Sequence, residues 1–182
     1  ILKAVIFVLV FSMVVVGSLI SYPFLLYPLP REEQLVNQIL ADAAKIIRDK
    51  YCLHPCGAGA AMPGGPVRGL LLSFDTQRPH TKEELRKLLI ETAHVLLNQV
   101  TQNKEIQQFI YEKPFTIKNV QIMIFNRDKK KYEVCHPGIS TAQIDSGELT
   151  YRTVDKANTF VFKNEYEESY EEALELLKKS NA

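Results

Sequence analysis

Apolar residues recur along this chain at three different spacings, and each spacing predicts a different kind of element. From Ala4 to Pro30 they run almost without interruption and without any charge. From residue 32 to residue 52 they take a helical period, with Leu35, Val36, Ile39, Leu40, Ala43, Ile46, Ile47 and Tyr51 on one stripe and the charges between. A second helix opens at Thr81, with Glu84 three residues on as a capping box. Leu85, Leu88, Leu89, Thr92, Ala93, Leu96, Leu97 and Val100 form its inner face. Asn103 is placed to cap a short third helix through Glu112, and Asn164 to cap a last one over 165–179, with Tyr166, Tyr170, Ala173, Leu174 and Leu177 as its apolar stripe. Between the helices the period shortens. Residues 67–74 read as a buried strand. Residues 117–125 alternate, with Val120, Ile122 and Ile124 on one face. A hairpin return is predicted at 132–135, and further strands at 147–154 and 158–163. Strands following one another through short turns, with helices before and after, predict an α+β domain. Its sheet should be mainly antiparallel, with about four to five strands packed with three to four helices.

The first rhythm has its own meaning. A bilayer core about 30 Å thick needs roughly 20 apolar residues in a helix, and the run over 4–22 meets that length. Tyr22 and Tyr27 stand where interfacial aromatics anchor a span. Pro23, Pro28 and Pro30 then stop the helix. A cleaved signal has a shorter apolar region and a small-residue cleavage site. The length here favours an uncleaved transmembrane anchor, and secretion after signal cleavage is the alternative. The chain divides accordingly into residues 1–30, a membrane segment with a proline-rich exit, and residues 31–182, an extracytoplasmic domain. If Lys3 is cytoplasmic, the positive-inside tendency puts Arg31 onward outside the cytoplasm.

Charge narrows the partners. All 21 acidic residues lie in 31–182, and so do all of the 22 basic residues except Lys3, which leaves that part formally neutral. A neutral domain has no general draw toward nucleic acid, and no nucleic-acid partner is expected. Lys129-Lys130-Lys131 is a local basic spot between two strand-like runs. It reads as a solvated hairpin tip. Anionic-lipid contact is the sharper reading, but three lysines fall short of the roughly 4–8 usual in such sites.

The candidate chemistry is a set of thiols and imidazoles, Cys52, His54, Cys56, Cys135 and His136. Four of them are enough for a tetrahedral Cys₃His zinc site, because thiolate and imidazole are ligands zinc prefers. The spacing lacks the paired C-x₂-C pattern. In an extracytoplasmic domain Cys52, Cys56 and Cys135 are also disulfide candidates, and buried free thiols are a third reading. A Cys135–His136 nucleophilic pair is disfavoured, because neighbours on a strand point to opposite faces. A second candidate is the glycine-rich stretch from Cys56 to Gly69. It lacks the Lys-Ser/Thr ending of a phosphate-binding loop and leads into a strand rather than a helix. It therefore reads as a flexible connector or a mobile binding loop, with Gly57, Gly59, Met62, Gly64, Gly65 and Arg68 as contact residues. No catalytic motif marks any other residue, and apart from the zinc alternative no cofactor is expected.

The segments Glu84–Ile90, Glu112–Ile122, Gly147–Arg152 and Tyr166–Leu174 resemble a set of membrane-anchored or secreted proteins of chlamydia-like bacteria. The resemblance covers about the last hundred residues. It implies an envelope location and carries over no activity and no catalytic residues. Taken together, the chain is expected to be a membrane-anchored envelope domain with a protein or ligand partner in the envelope, more a binding module than an enzyme. A thiol- or metal-dependent enzyme centred on the Cys/His set is the alternative.

Overall fold

The first helix, α1 (Arg31–Tyr51), forms where the apolar stripe begins, and Leu35, Val36, Ile39, Leu40, Ala43 and Ile47 are buried along it. Glu32 and Glu33 in its first turn and Arg48 and Lys50 in its last complement the helix dipole. Cys52 ends it in the left-handed conformation, with its N–H donating to the Arg48 carbonyl. The computed structural model describes residues 28–180. The predicted membrane segment, 4–22, lies outside them. Among the described residues no helix is long and apolar enough to cross a membrane.

The sheet follows in chain order. Strands β1 (His54–Ala61), β2 (Gly69–Asp75), β3 (Val120–Phe125), β4 (Thr141–Asp145), β5 (Glu148–Val154) and β6 (Phe162–Ser169) each lie beside their predecessor. Every pairing is antiparallel except β2–β3, which is parallel. The exception has a simple cause. A second helix, α2 (Lys82–Gln102), returns the chain to the starting end between β2 and β3, as a crossover must. The last helix, α3 (Tyr170–Ser180), follows β6 directly.

The three helices of the described residues pack on one face. α1 lies over β1 and β2, α2 over β3 to β5, and α3 beside β5 and β6. Leu70, Leu72, Phe74, Val120, Ile122, Ile124, Ile144, Leu149 and Tyr151 point into that core, each at most 2% exposed. Thr81 caps α2 through the predicted box, with Thr81 Oγ1 accepting from Glu84 N and Glu84 Oε2 from Thr81 N. The β4–β5 turn is two residues long. Ser146 and Gly147 have φ of 53° and 84°, the primed geometry that a tight hairpin requires.

The architecture is α+β as predicted, but with six strands and a mixed sheet. Four details differ. The glycine-rich stretch is not a connector: its first half is β1, paired to β2 from end to end, and only 62–68 is a turn. Glycine and alanine carry weak strand preference, and the ladder to β2 supplies what the side chains lack. The hairpin return is not 132–135. That segment keeps one bridge, Arg127 to Glu133, and the strand beside β3 is 141–145. The third helix shortens to a 3₁₀ turn, Ile106–Phe109, because Val67 takes the next backbone bonds, donating to Phe109 O and accepting from Tyr111 N. Asn103 does cap that turn, accepting from Glu105 N and Ile106 N. Finally, 162–169 is strand, and α3 begins only at Tyr170. The cap is Ser169 rather than Asn164: Ser169 Oγ accepts from Glu172 N, and Glu172 Oε2 accepts from Ser169 N.

Candidate functional site

The helices cover one face, and among the described residues no element covers the other, so the register fixes what it displays. One row crosses all six strands through Gly57, Ser73, Met123, Gln143, Thr150 and Glu167. The next row, nearer the end where β2 and β3 finish, runs His54, Asp75, Phe125, Thr141, Arg152 and Glu165. The first row is uncharged from Gly57 to Thr150, and its Ser73 and Thr150 are buried. Gly57 has to be small: a Cβ there would stand 2.4 Å from Ser73 Oγ. The second row is laced with charge. Asp75 accepts from Arg127 Nε at 2.5 Å, and the Arg127 guanidinium lies 5.6 Å from the centre of the Phe125 ring. Arg152 pairs with Glu165 and stands over Phe162.

Beyond the second row lies a cleft of about 630 Å³ between His54 and Pro55 on one side, Asp75, Thr76 and Gln77 at its base, and the Asp128–Lys131 turn opposite. It sits outside the carboxyl ends of the two parallel strands, the position where open α/β sheets place ligands. Its walls are held by backbone-capping side chains. Asn126, fully buried, donates to His80 O and Ile139 O and accepts from His80 N. Thr76 Oγ1 donates to Arg127 O and accepts from Arg127 N. Asp128 closes the lysine turn by accepting from Lys130 N and Tyr132 N.

The predicted Cys/His set is divided between two places. Cys52 ends α1, and its carbonyl accepts from Gln77 Nε2. His54 lines the cleft, and Cys56 is the extra residue of a bulge in β1, with Sγ 3.6 Å from Ser73 Oγ. Cys135 and His136 lie in the β3–β4 connection, beside β5 and β6. His136 N donates to Val154 O, and its Nδ1 is 3.1 Å from Asn164 Nδ2. All three cysteines are free. Among the described residues no three His, Cys, Asp or Glu side chains are grouped to hold a metal ion. Burial pushes the Cys56 thiol up from its ordinary range, and Asp75 adds to that, so its thiolate is scarce at neutral pH. His80, just before the Thr81 cap, is partly buried. Its Nδ1 is buried without a hydrogen bond, and burial, then Arg78, hold the imidazole below its usual range.

Of the proposed loop contacts, Gly57 and Gly59 are β1 residues. Gly64 and Gly65 turn the hairpin at positive φ, and Arg68 stacks on Tyr111 at 3.7 Å. Arg68 borders a second, shallower cleft of about 420 Å³ at the other end of the open face, with Lys118 and Asp145. The Asp75–Arg127 and Arg152–Glu165 pairs were invisible in sequence, because each joins residues of different strands or loops.

Comparison of the chain with family models, with curated proteins and with solved structures returns no match.

Proposed function

We propose that residues 31–182 form a non-enzymatic binding module, displayed in the cell envelope by a membrane anchor at 4–22, and that its partner is a protein that lies across the open sheet face. The observation that carries this reading is the one-sided layering. Among the described residues, a sheet that buries one face under three helices leaves the other with polar side chains around Leu71, Met123 and Phe125. That face ends in a cleft walled by capped, ordered turns. A rigid scaffold with a shaped surface serves recognition. The raised Cys56 thiol works against a nucleophilic role for the nearest candidate. The test is site-directed photo-crosslinking of the full chain in native membranes. A photoreactive residue at Met123 or Gln143 should capture one discrete polypeptide, and the same probe at Lys87 on the helical side should not. Equal labelling from both faces, or none from the sheet, refutes the assignment.

A further inference from the structure

The two edges of the sheet are finished differently. β6 carries Lys163, Glu165 and Glu167, charges that oppose a further strand. β1 holds no acid, lysine or arginine and is exposed along most of its length. Pro55 and the bulge at Cys56 guard only its start, and Gly57 to Ala61 keep a regular register with β2. Among the described residues, no backbone group of β1 bonds outside the β1–β2 hairpin. The groups that point away from β2 are therefore free to pair. Ser73 explains Gly57, but nothing in the fold requires a glycine at 59. A Cβ there would come no nearer than 3.8 Å to another side chain, and its φ is not positive. A strand glycine that its own fold does not require points to the close approach of another backbone.

The helical layer is also unfinished at this edge. Ala58 and Ala60 stand in register with Leu72 and Leu70, which are buried under the helices, yet both alanines are exposed. α1 lies over β1 and β2, and its Tyr51 shares a hollow with Leu88 and Glu91 of α2. Ile46 stands about 140° around α1 from Tyr51 at 3.6 residues per turn. It is thus on the flank turned away from α2, and it is 39% exposed. A lone extended peptide would pair with β1 and leave these apolar residues in water, whereas a second copy of the chain covers both layers. Antiparallel pairing of β1 with its own copy is two-fold symmetric, and an axis perpendicular to the sheet keeps every helix on one face. The line between β1 and β2, which α1 follows, then lies two strand spacings from its symmetry mate, about 9.6 Å. Helices pack at about 8–10 Å, so each α1 receives the other against the Ile46 flank.

We propose that the chain forms a two-fold dimer through antiparallel pairing of its Gly57–Ala61 edges. Gly59 lies at the axis, Ala58 faces Ala60 of the copy, and the two α1 helices pack side by side. The dimer is independent of the partner proposed for the open face, which it extends from six strands to twelve. The full chain in detergent micelles should sediment as a dimer. Ala58→Lys and Ala60→Glu should each raise its dissociation constant about tenfold, since each buries a charge without a partner. Both in one chain should restore it, because this register sets each lysine opposite a glutamate. With Cys52, Cys56 and Cys135 replaced by serine, Gly59→Cys should oxidise to a covalent dimer. Facing residues of an antiparallel pair lie about 4.5–5.5 Å apart at Cα, within disulfide reach. Lys163→Cys on β6 should stay reduced. The oxidation decides the matter should a charged variant fail to fold. A monomer overturns the proposal, as does a dimer that neither single charge weakens, which the anchor alone would hold. A double variant as weak as the single ones, or equal oxidation at Gly59→Cys and Lys163→Cys, overturns it equally.

Discussion

Glu168→Ala should be among the most damaging single substitutions in this domain. Glu168 lies on β6 and Arg86 on α2, and their side chains are 9% and 10% exposed. Arg86 Nε and Nη2 donate to the two carboxylate oxygens at 2.7 and 2.9 Å, and the buried Tyr151 hydroxyl donates to Oε1 at 2.5 Å. Removing the carboxylate leaves a guanidinium and a phenol without partners inside the protein. Breaking a buried pair in this way costs about 3–5 kcal/mol, a large part of the roughly 5–15 kcal/mol available to a whole domain. Thermal unfolding should fall by about 10 °C for a protein of this size. Urea titration of the full chain in detergent, followed by far-UV circular dichroism, measures the loss. Arg86→Met, Glu168→Leu and Tyr151→Phe together remove the charges and the orphaned hydroxyl at once, and should recover most of the stability. A loss below about 1 kcal/mol for Glu168→Ala, or a triple variant no better than it, refutes the account. The pH dependence has a definite sign. Burial pushes the Glu168 carboxyl up, but the Arg86 and Tyr151 hydrogen bonds more than reverse this and hold it below the usual range. A depressed carboxylate stabilises fully above the unfolded value, about 4.3. That contribution is lost as pH falls from there through the folded value.

Four further substitutions probe the site. Gly57→Ala should destabilise by about 1–3 kcal/mol, because its Cβ meets Ser73 Oγ at 2.4 Å. Adding Ser73→Ala should restore the melting temperature, since the next contact is an ordinary 3.8 Å. Asn126→Ala removes three buried backbone contacts and should cost about 3 kcal/mol, with faster hydrogen exchange at the His80 amide. Cys56 should alkylate with a midpoint above that of an ordinary thiol. Arg127→Gln should move the midpoint higher still, because Arg127 partly offsets the burial, as read by mass spectrometry across pH.

What the sequence revealed and what it hid divide along a physical line. Periodicity found α1 and α2, because a helix declares its buried face every three to four residues over five turns or more. The Thr81 box was legible because its two partners are local. β1 was hidden because small residues show no alternation, and its strand state comes from a neighbour. The α3 boundary was misplaced because Tyr166-Glu-Glu-Ser-Tyr has both a helical and an extended reading. Pairing of Glu168 with Arg86, 82 residues away, decides it. The cleft and the Asp75–Arg127 pair likewise depend on contacts across 52 residues, which no window contains.

The same buried pair also links the core to the loop before β6, where Phe160 is 97% exposed. β6 is an edge strand, hydrogen-bonded only to β5, and its outer positions carry Lys163, Glu165 and Glu167, charges that discourage further pairing. An edge of that kind gains little from its own side chains. Arg86–Glu168 ties it to α2, and the bond between His94 and Tyr170 ties the following helix to the same element. The loop that displays Phe160 opens directly into β6, so its position depends on these ties. Glu168→Ala should therefore speed hydrogen exchange through 155–169, though Glu168 lies on the strand and not in the loop. Unchanged exchange at 155–161 in a demonstrably destabilised Glu168→Ala would show that this loop is ordered by its own turns alone.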